Sequence, residues 1–472
     1  MNPNDIPATL HATFQRQRES YDAATFPEWA ERRDRLQRLL GLITANESAI
    51  EAAIDADFAG RPKFETQIAE IFPTVSEIRG ALRHGERWMK PRRAGVSKWF
   101  LPARAQVLPR PLGVIGVIVP WNYPLFLAVG PLVGALAAGN RAMVKMSEYT
   151  PAFSQLFADL IARAFSDVEV AVVTGGPEVA AQFSALPFDH LLFTGSTAVG
   201  RHVMSAAARN LTPVTLELGG KSPTVVAPGY PLERAAERVL AGKLLNAGQT
   251  CIAPDYVLVP RARTAEFVDA LRRQAQRMYP GGIADASYCS IVNPRHYGRL
   301  AGYLDQAAAS GVAIHPLFSG TERNDEAHRL APAVLVDPPG TLDVMRDEIF
   351  GPLLPVLGYD SIEDALTVIN SRPRPLALYW FDGDRARIER ALKATHAGGV
   401  CINETLVHVA QETLPFGGVG PSGMGQYHGQ WGFDTFSKLT PVFRQSAWNG
   451  MALFTPPYRP IASSLLRLMK RF

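Results

Sequence analysis

Cysteine is scarce in this chain, with only Cys251, Cys289 and Cys401 among 472 residues. An odd, widely spaced set excludes the disulfide framework of a small secreted domain and points to a reducing compartment, the cytoplasm. Neither a C-x-x-C nor an H-x-x-x-H pair occurs among the cysteines and the ten histidines, so no metal is expected. His408 and His428 are read as structural. The G-x-S-x-G elbow is missing too, which leaves a Ser/His/Asp hydrolase unsupported. Charge of one sign is also lacking: 48 basic residues against 44 acidic ones give a net +4 with no concentrated patch, which argues against nucleic acid as a partner. The start, Met1-Asn-Pro-Asn-Asp-Ile6, has no basic region ahead of an apolar run, so no signal peptide is expected. The longest apolar stretch, residues 125–138, is interrupted by Gly130, Pro131 and Gly134. It falls short of the roughly 20 residues that a membrane span needs.

What is there is a large apolar inventory, 47% of the residues, in a chain long enough for two or three domains. Residues 26–57 carry Leu36, Leu39, Leu40, Ile43 and Ile50 at helical spacing, and residues 65–88 form a second helical stretch. Residues 94–108 change character to extended chain. From residue 113 the pattern alternates. Residues 113–119, 142–146, 168–174 and 190–193 read as short buried strands, and residues 123–138, 150–165 and 178–186 as helices between them. Nearly continuous apolar strands separated by helices predict an α/β fold with a doubly wound parallel sheet. A second α/β stretch covers about residues 218–400. No internal repeat or low-complexity region is found.

Several segments carry candidate chemistry. Cys251 follows Asn246-Ala-Gly-Gln-Thr250, where a glycine turns the chain and presents the side chain. Near backbone N–H donors a thiolate is expected to have a lowered pKa and to act as a nucleophile. Asn122, in Pro120-Trp-Asn-Tyr-Pro124, sits just past a strand, where parallel sheets bind ligands. Its amide suits an oxyanion, but the same segment also reads as a plain turn packed on Trp121. Glu217, before Gly219-Gly220, is either a general base raised by apolar neighbours or a salt-bridged junction residue. Lys145, Ser147 and Glu148 follow another strand, where Lys145 and Glu148 suit a ribose and the carboxylate would repel a 2′-phosphate. Taken alone, the segment reads more readily as a solvated loop. In Phe193-Thr-Gly195-Ser196, Ser196 can cap a helix facing a pyrophosphate, although the turn holds one glycine and no G-x-G-x-x-G. Glu348 and Phe350 lie in a turn suited to gripping a ribose. Tyr123, Phe416 and Tyr427 suggest a partly aromatic pocket for a medium-to-large apolar substrate.

Taken in order, Pro120–Pro124, Lys145–Glu148, Phe193–Gly200, Glu217–Lys221, Gly248–Cys251, Glu348–Pro352 and Pro415–Gly418 resemble the aldehyde dehydrogenase superfamily over about residues 26–445. The segments around Cys251 and Gly423-Met-Gly-Gln-Tyr-His-Gly429 look like its class 3 branch. The run from Cys401 to Gln411 is similar to bacterial coniferyl aldehyde dehydrogenases. The resemblance implies a Rossmann-like cofactor domain (residues 1–93 and 109–216), an α/β catalytic domain (217–400), a small bridging unit for oligomerisation (94–108 and 401–443) and a tail (444–472). It implies NAD, with NADP possible, a small-molecule aldehyde substrate and a homodimer. Cys251 would be the nucleophile, Glu217 the base for deacylation, and Asn122 the oxyanion donor. Trp121, Lys145, Ser147, Glu148, Gly195, Ser196, Glu348 and Phe350 would hold the cofactor. A CoA-acylating enzyme and a non-catalytic family member are the alternatives, and Glu217 argues against the first. In the tail, Ile461, Leu465, Leu468 and Phe472 can share one helical face, for packing on the subunit or a partner rather than on a membrane.

Overall fold

The computed structural model describes residues 6–471. Residues 1–5, on which the absence of a leader was read, and Phe472 of the tail lie outside them. The alternating strands assemble into a six-stranded sheet. Val170–Val173, Arg141–Lys145, Val114–Ile118, His190–Thr194 and Val214–Glu217 lie side by side and parallel. The two-residue strand Gly423–Met424 adds to the last of them antiparallel, with Gly423 opposite Glu217. Register places Ile118 opposite both Lys145 and Phe193, and Thr194 opposite Glu217. The carboxyl ends of four strands are therefore brought to one edge, and the turns bearing Asn122, Ser147, Gly195 and Gly219 all leave from it. Beneath this sheet the helix Phe126–Ala138 is buried on every side, as its uniformly apolar sequence requires.

A second sheet runs in the order Ala313–Pro316, Ala333–Val336, Leu353–Tyr359, Tyr256–Pro260, Pro223–Val226, Ala377–Phe381 and Gly399–Ile402. All its pairings are parallel except that of the outer strand Ala313–Pro316. A third, antiparallel sheet joins Arg92–Ala94, Arg104–Pro111 and Ser437–Arg444.

The helical stretches differ from the expected ones. Residues 26–57 form two helices, Trp29–Ala45 and Glu47–Phe58, parted at Asn46. The Asn46 amide donates to the Leu42 carbonyl at 2.7 Å, a side-chain bond that competes with the helical ladder. The second stretch is a short helix Lys63–Thr66, a π-helical turn Gln67–Ile71 and the helix Phe72–Trp88. A further helix, Ile6–Ala23, precedes them. The tail forms a helix, Pro460–Met469, that leaves Ile461, Leu466 and Leu468 exposed and buries only Ala462. Among the described residues no helix is long and apolar enough to cross a membrane.

Candidate active site

The segment before Cys251 is bent hard. After the helix Leu232–Leu244 the chain passes through left-handed conformations at Asn246 (φ 54°), Ala247 (φ 50°) and Gly248 (φ 78°). Such geometry is unfavourable for residues with a Cβ and persists only where neighbours enforce it. At Gly248 a Cβ would meet the Gly351 carbonyl oxygen, so only glycine fits. At Asn246 the N–H donates to Glu65 Oε2 at 3.0 Å, and Nδ2 donates to the Asn122 and Gln249 carbonyls at 3.1 and 3.2 Å. Gln249 in turn donates through Nε2 to the Asn246 and Ser290 carbonyls. The half-buried Cys251 thiol emerges at the end of this braced turn.

Asn122 is buried, and its Nδ2 donates to the Gln249 carbonyl at 3.1 Å. An amide nitrogen carries two donors, so one N–H remains beyond this bond. The Asn122 carbonyl also accepts Arg61 Nη1 at 3.0 Å, and that same nitrogen reaches Glu70 Oε1 at 2.9 Å. Glu70 Oε2 accepts the N–H groups of Leu125 and Phe126 at 2.7 and 3.1 Å. A fully buried ion pair thus grips both ends of the turn that bears Asn122.

Glu217 ends its strand, with its carbonyl accepting the Gly195 N–H at 3.0 Å. The carboxyl is 2% exposed, and neither oxygen accepts a hydrogen bond among the described residues. Burial pushes its pKa well above the carboxylate range. A buried carboxyl that nothing neutralises is poised to take a proton.

The thiol departs from expectation. Burial raises the Cys251 pKa, and the Glu348 and Glu217 carboxylates add to the rise. The backbone N–H groups of Cys251 and Ile252 do oppose it, as the sequence reading supposed, but they are outweighed. The expected lowering is thus corrected: two acids and a desolvated site favour the neutral thiol.

Along the same edge, Ser196 caps the helix Thr197–Ala208, accepting the Val199 N–H at 3.4 Å. Trp121 packs edge-on to Phe350 with centroids 5.3 Å apart, and beside His296 at 5.0 Å. Lys145 is buried, with Nζ donating to the Met146 carbonyl at 2.7 Å, and Ser147 is buried beside it. Glu148 is exposed. A dinucleotide fits this edge on two observations. At Gly195 a Cβ would lie 2.5 Å from the Phe193 ring, so the backbone there stays bare. Glu348 Oε1 is buried without a hydrogen-bond partner among the described residues, and burial pushes its carboxyl up to about 8. Among those residues no group of three or more His, Cys, Asp or Glu side chains is arranged to hold a metal ion.

Cys251 opens onto a cavity of about 760 Å³. Tyr123 and Phe416 line it, with the Tyr123 hydroxyl 2.6 Å from Thr250 Oγ1. Tyr427 does not reach the wall. Its backbone pairs with Phe416 in a β-bridge and its ring stands behind Phe416, fully buried, so the sequence reading of Tyr427 as a lining residue is corrected. The sequence reading missed an entire wall: Phe64, Glu65 and Ile68, from the segment around the π-helical turn. The signal was available, because Phe64, Ile68 and Phe72 recur every fourth residue on the face turned away from the core.

The aldehyde dehydrogenase family pattern matches residues 6–442. A probable coniferyl aldehyde dehydrogenase of Pseudomonas aeruginosa is 53% identical over 449 residues, 95% of this chain and 94% of that protein. Aldehyde dehydrogenase family 3 member H1 of Arabidopsis thaliana is 38% identical, covering 96% of this chain and 92% of its own. Among solved structures, the substrate-bound state of Staphylococcus aureus AldH superposes with a TM-score of 0.92 at 35% identity, covering 97% of this chain and 99% of that one.

Proposed function

This chain belongs to the aldehyde dehydrogenase family, and from that premise we propose that it oxidises a coniferyl aldehyde-like aromatic aldehyde to the carboxylic acid through a covalent Cys251 intermediate. The family's reaction is the NAD(P)-dependent oxidation of aldehydes. The observation that carries the reading is the meeting of Cys251, the Asn122 amide and a Glu217 carboxyl unpartnered among the described residues, with Cys251 opening onto a large apolar cavity.

The residues divide the work. Cys251 gives its proton to water in the cavity it opens onto, and its sulfur bonds to the aldehyde carbon. The free Asn122 N–H and the Cys251 backbone N–H hold the oxygen as it becomes anionic, a preorganised pair that needs no rearrangement. A bound nicotinamide supplies the acceptor for the hydride that departs from this carbon. Cys251 is then acylated as a thioester. Glu217 takes a proton from water, whose oxygen attacks the thioester carbon, and the acid leaves with the thiolate restored. Glu348, Phe350 and Trp121 orient the nicotinamide end, while Gly195, Ser196, Lys145, Ser147 and Glu148 serve the adenosine and pyrophosphate end.

We assign residues 1–93 and 109–216 to the cofactor domain, 217–400 to the catalytic domain and 94–108 with 401–443 to the bridging unit. A homodimer assembled through that unit is supported by the exposed Leu439 and Phe443 on the strand Ser437–Arg444. A cytoplasmic location is supported by three free cysteines. The deciding experiment follows NADH formation from coniferyl aldehyde, benzaldehyde, long aliphatic aldehydes and acetaldehyde, with NAD or NADP and without CoA. Turnover led by coniferyl aldehyde is expected. Activity that appears only with CoA would replace hydrolysis by acyl transfer to a thiol.

A further inference from the structure

One polar group on the cavity wall braces the Cys251 turn through one oxygen and leaves the other unused by the chemistry above. Glu65 is about nine-tenths buried, amid a lining that includes Tyr123, Phe126, Leu127, Leu245 and Met278. Its Oε2 accepts the Asn246 N–H at 3.0 Å, while Oε1 accepts no hydrogen bond among the described residues. The nearby Arg61 makes its ion pair with Glu70 and none with Glu65. The other carboxylate on the wall, Glu404, is matched by Arg238 at 3.4 Å. Glu65 and Cys251 line the same cavity, with Tyr123 on its wall as well.

We propose that Glu65 is a specificity-determining residue: its free oxygen accepts the phenolic hydroxyl of an aromatic aldehyde whose carbonyl is presented to Cys251. The inference rests on the aldehyde dehydrogenase reading of this cavity. A carboxylate oxygen that faces the cavity gives up its water when an apolar substrate fills that cavity. A phenol supplies the missing donor. An unsubstituted ring leaves the oxygen unpaired, and a methoxy group sets lone pairs against it. Burial lifts the Glu65 pKa to about 7, so ionised acceptor is still present at neutral pH.

The test compares 4-hydroxycinnamaldehyde, 4-methoxycinnamaldehyde and cinnamaldehyde on the parent enzyme and on Glu65→Gln. The amide oxygen of the variant can still accept the Asn246 N–H, so the braced turn is retained while the cavity-facing acceptor becomes a donor. In the parent, kcat/KM for the 4-hydroxy compound should exceed that for cinnamaldehyde by about ten- to a hundredfold, the range of a hydrogen bond to a charged group. In Glu65→Gln that ratio should fall to near one, over and above any change shared by all three aldehydes through the braced turn. A parallel loss on all three aldehydes would confine Glu65 to holding Asn246 and overturn the proposal. So would a parent with no preference for the hydroxyl, a measurement that needs no variant. Turnover of cinnamaldehyde in either case leaves the dehydrogenase reading standing, whereas a parent inert on every aldehyde overturns both.

Discussion

Asn122 and Gln249 are joined by a single hydrogen bond, from the Asn122 amide nitrogen to the Gln249 carbonyl at 3.1 Å. This bond ties the turn after the strand Val114–Ile118 to the turn that presents Cys251, two segments far apart in the chain. The oxyanion donor and the nucleophile therefore share one rigid frame. Each turn is held by the other as well as by its own loop.

Asn122→Ala removes both this tie and the donor. A lost oxyanion donor typically lowers kcat by about a hundred- to a thousandfold. We expect that fall with little change in NAD affinity, read by steady-state rates beside nucleotide titration. An unchanged kcat would take Asn122 out of the oxyanion site.

Glu217→Gln should leave a burst of NADH followed by a slow steady state, since acylation does not require the base and deacylation does. In the parent the base must be ionised, so deacylation should rise with pH through the raised Glu217 pKa, and the variant should lack that rise. Stability should move the other way. Because the folded state favours the protonated carboxyl, the stability linked to Glu217 is full below its ordinary value of 4.5 and is lost as pH rises through the raised one. Glu217→Gln should therefore unfold at a higher temperature than the parent at pH 8, with a smaller gap at pH 5. Parent-like turnover, or a gap that widens toward acid, would contradict the assignment.

Glu148→Ala should relax discrimination against NADP. The side chain is exposed at the carboxyl edge of the sheet, just beyond Lys145, so its loss costs the fold little. The expected readout is a rise in kcat/KM with NADP relative to NAD. An unchanged ratio would mean that this carboxylate does not face the ribose.

Arg61→Met should destabilise the protein by about 3–5 kcal/mol, because it strands the Glu70 carboxylate without its partner in the interior. Replacing Glu70 by Leu in the same variant should recover part of the thermal midpoint while leaving kcat depressed, since Asn246 Nδ2 then holds the Asn122 carbonyl alone. Full recovery of kcat in the double variant would show that the pair does not position Asn122.

The order of apolar runs was enough to foretell the parallel sheet, because strand and helix periods are local and each residue carries its own share of the signal. The candidate residues were legible for a related reason. Cys251 behind Gly248, Asn122 between two prolines and Glu217 before paired glycines each combine a reactive group with a neighbour that bends the chain. What the sequence alone could not decide was the environment of those groups. The thiol was expected to be acidified by its N–H donors, and it is not, because its burial and two carboxylates come from segments that only folding brings near. Tyr427 looked like a pocket residue until a β-bridge placed it behind Phe416. Arg61, Glu65 and Glu70 carried no signal in the sequence. They are buried, and they hold the two catalytic turns from outside. Periodicity records which face of an element is apolar. Which faces meet, and therefore which charges lose their water, is a property of the tertiary structure alone.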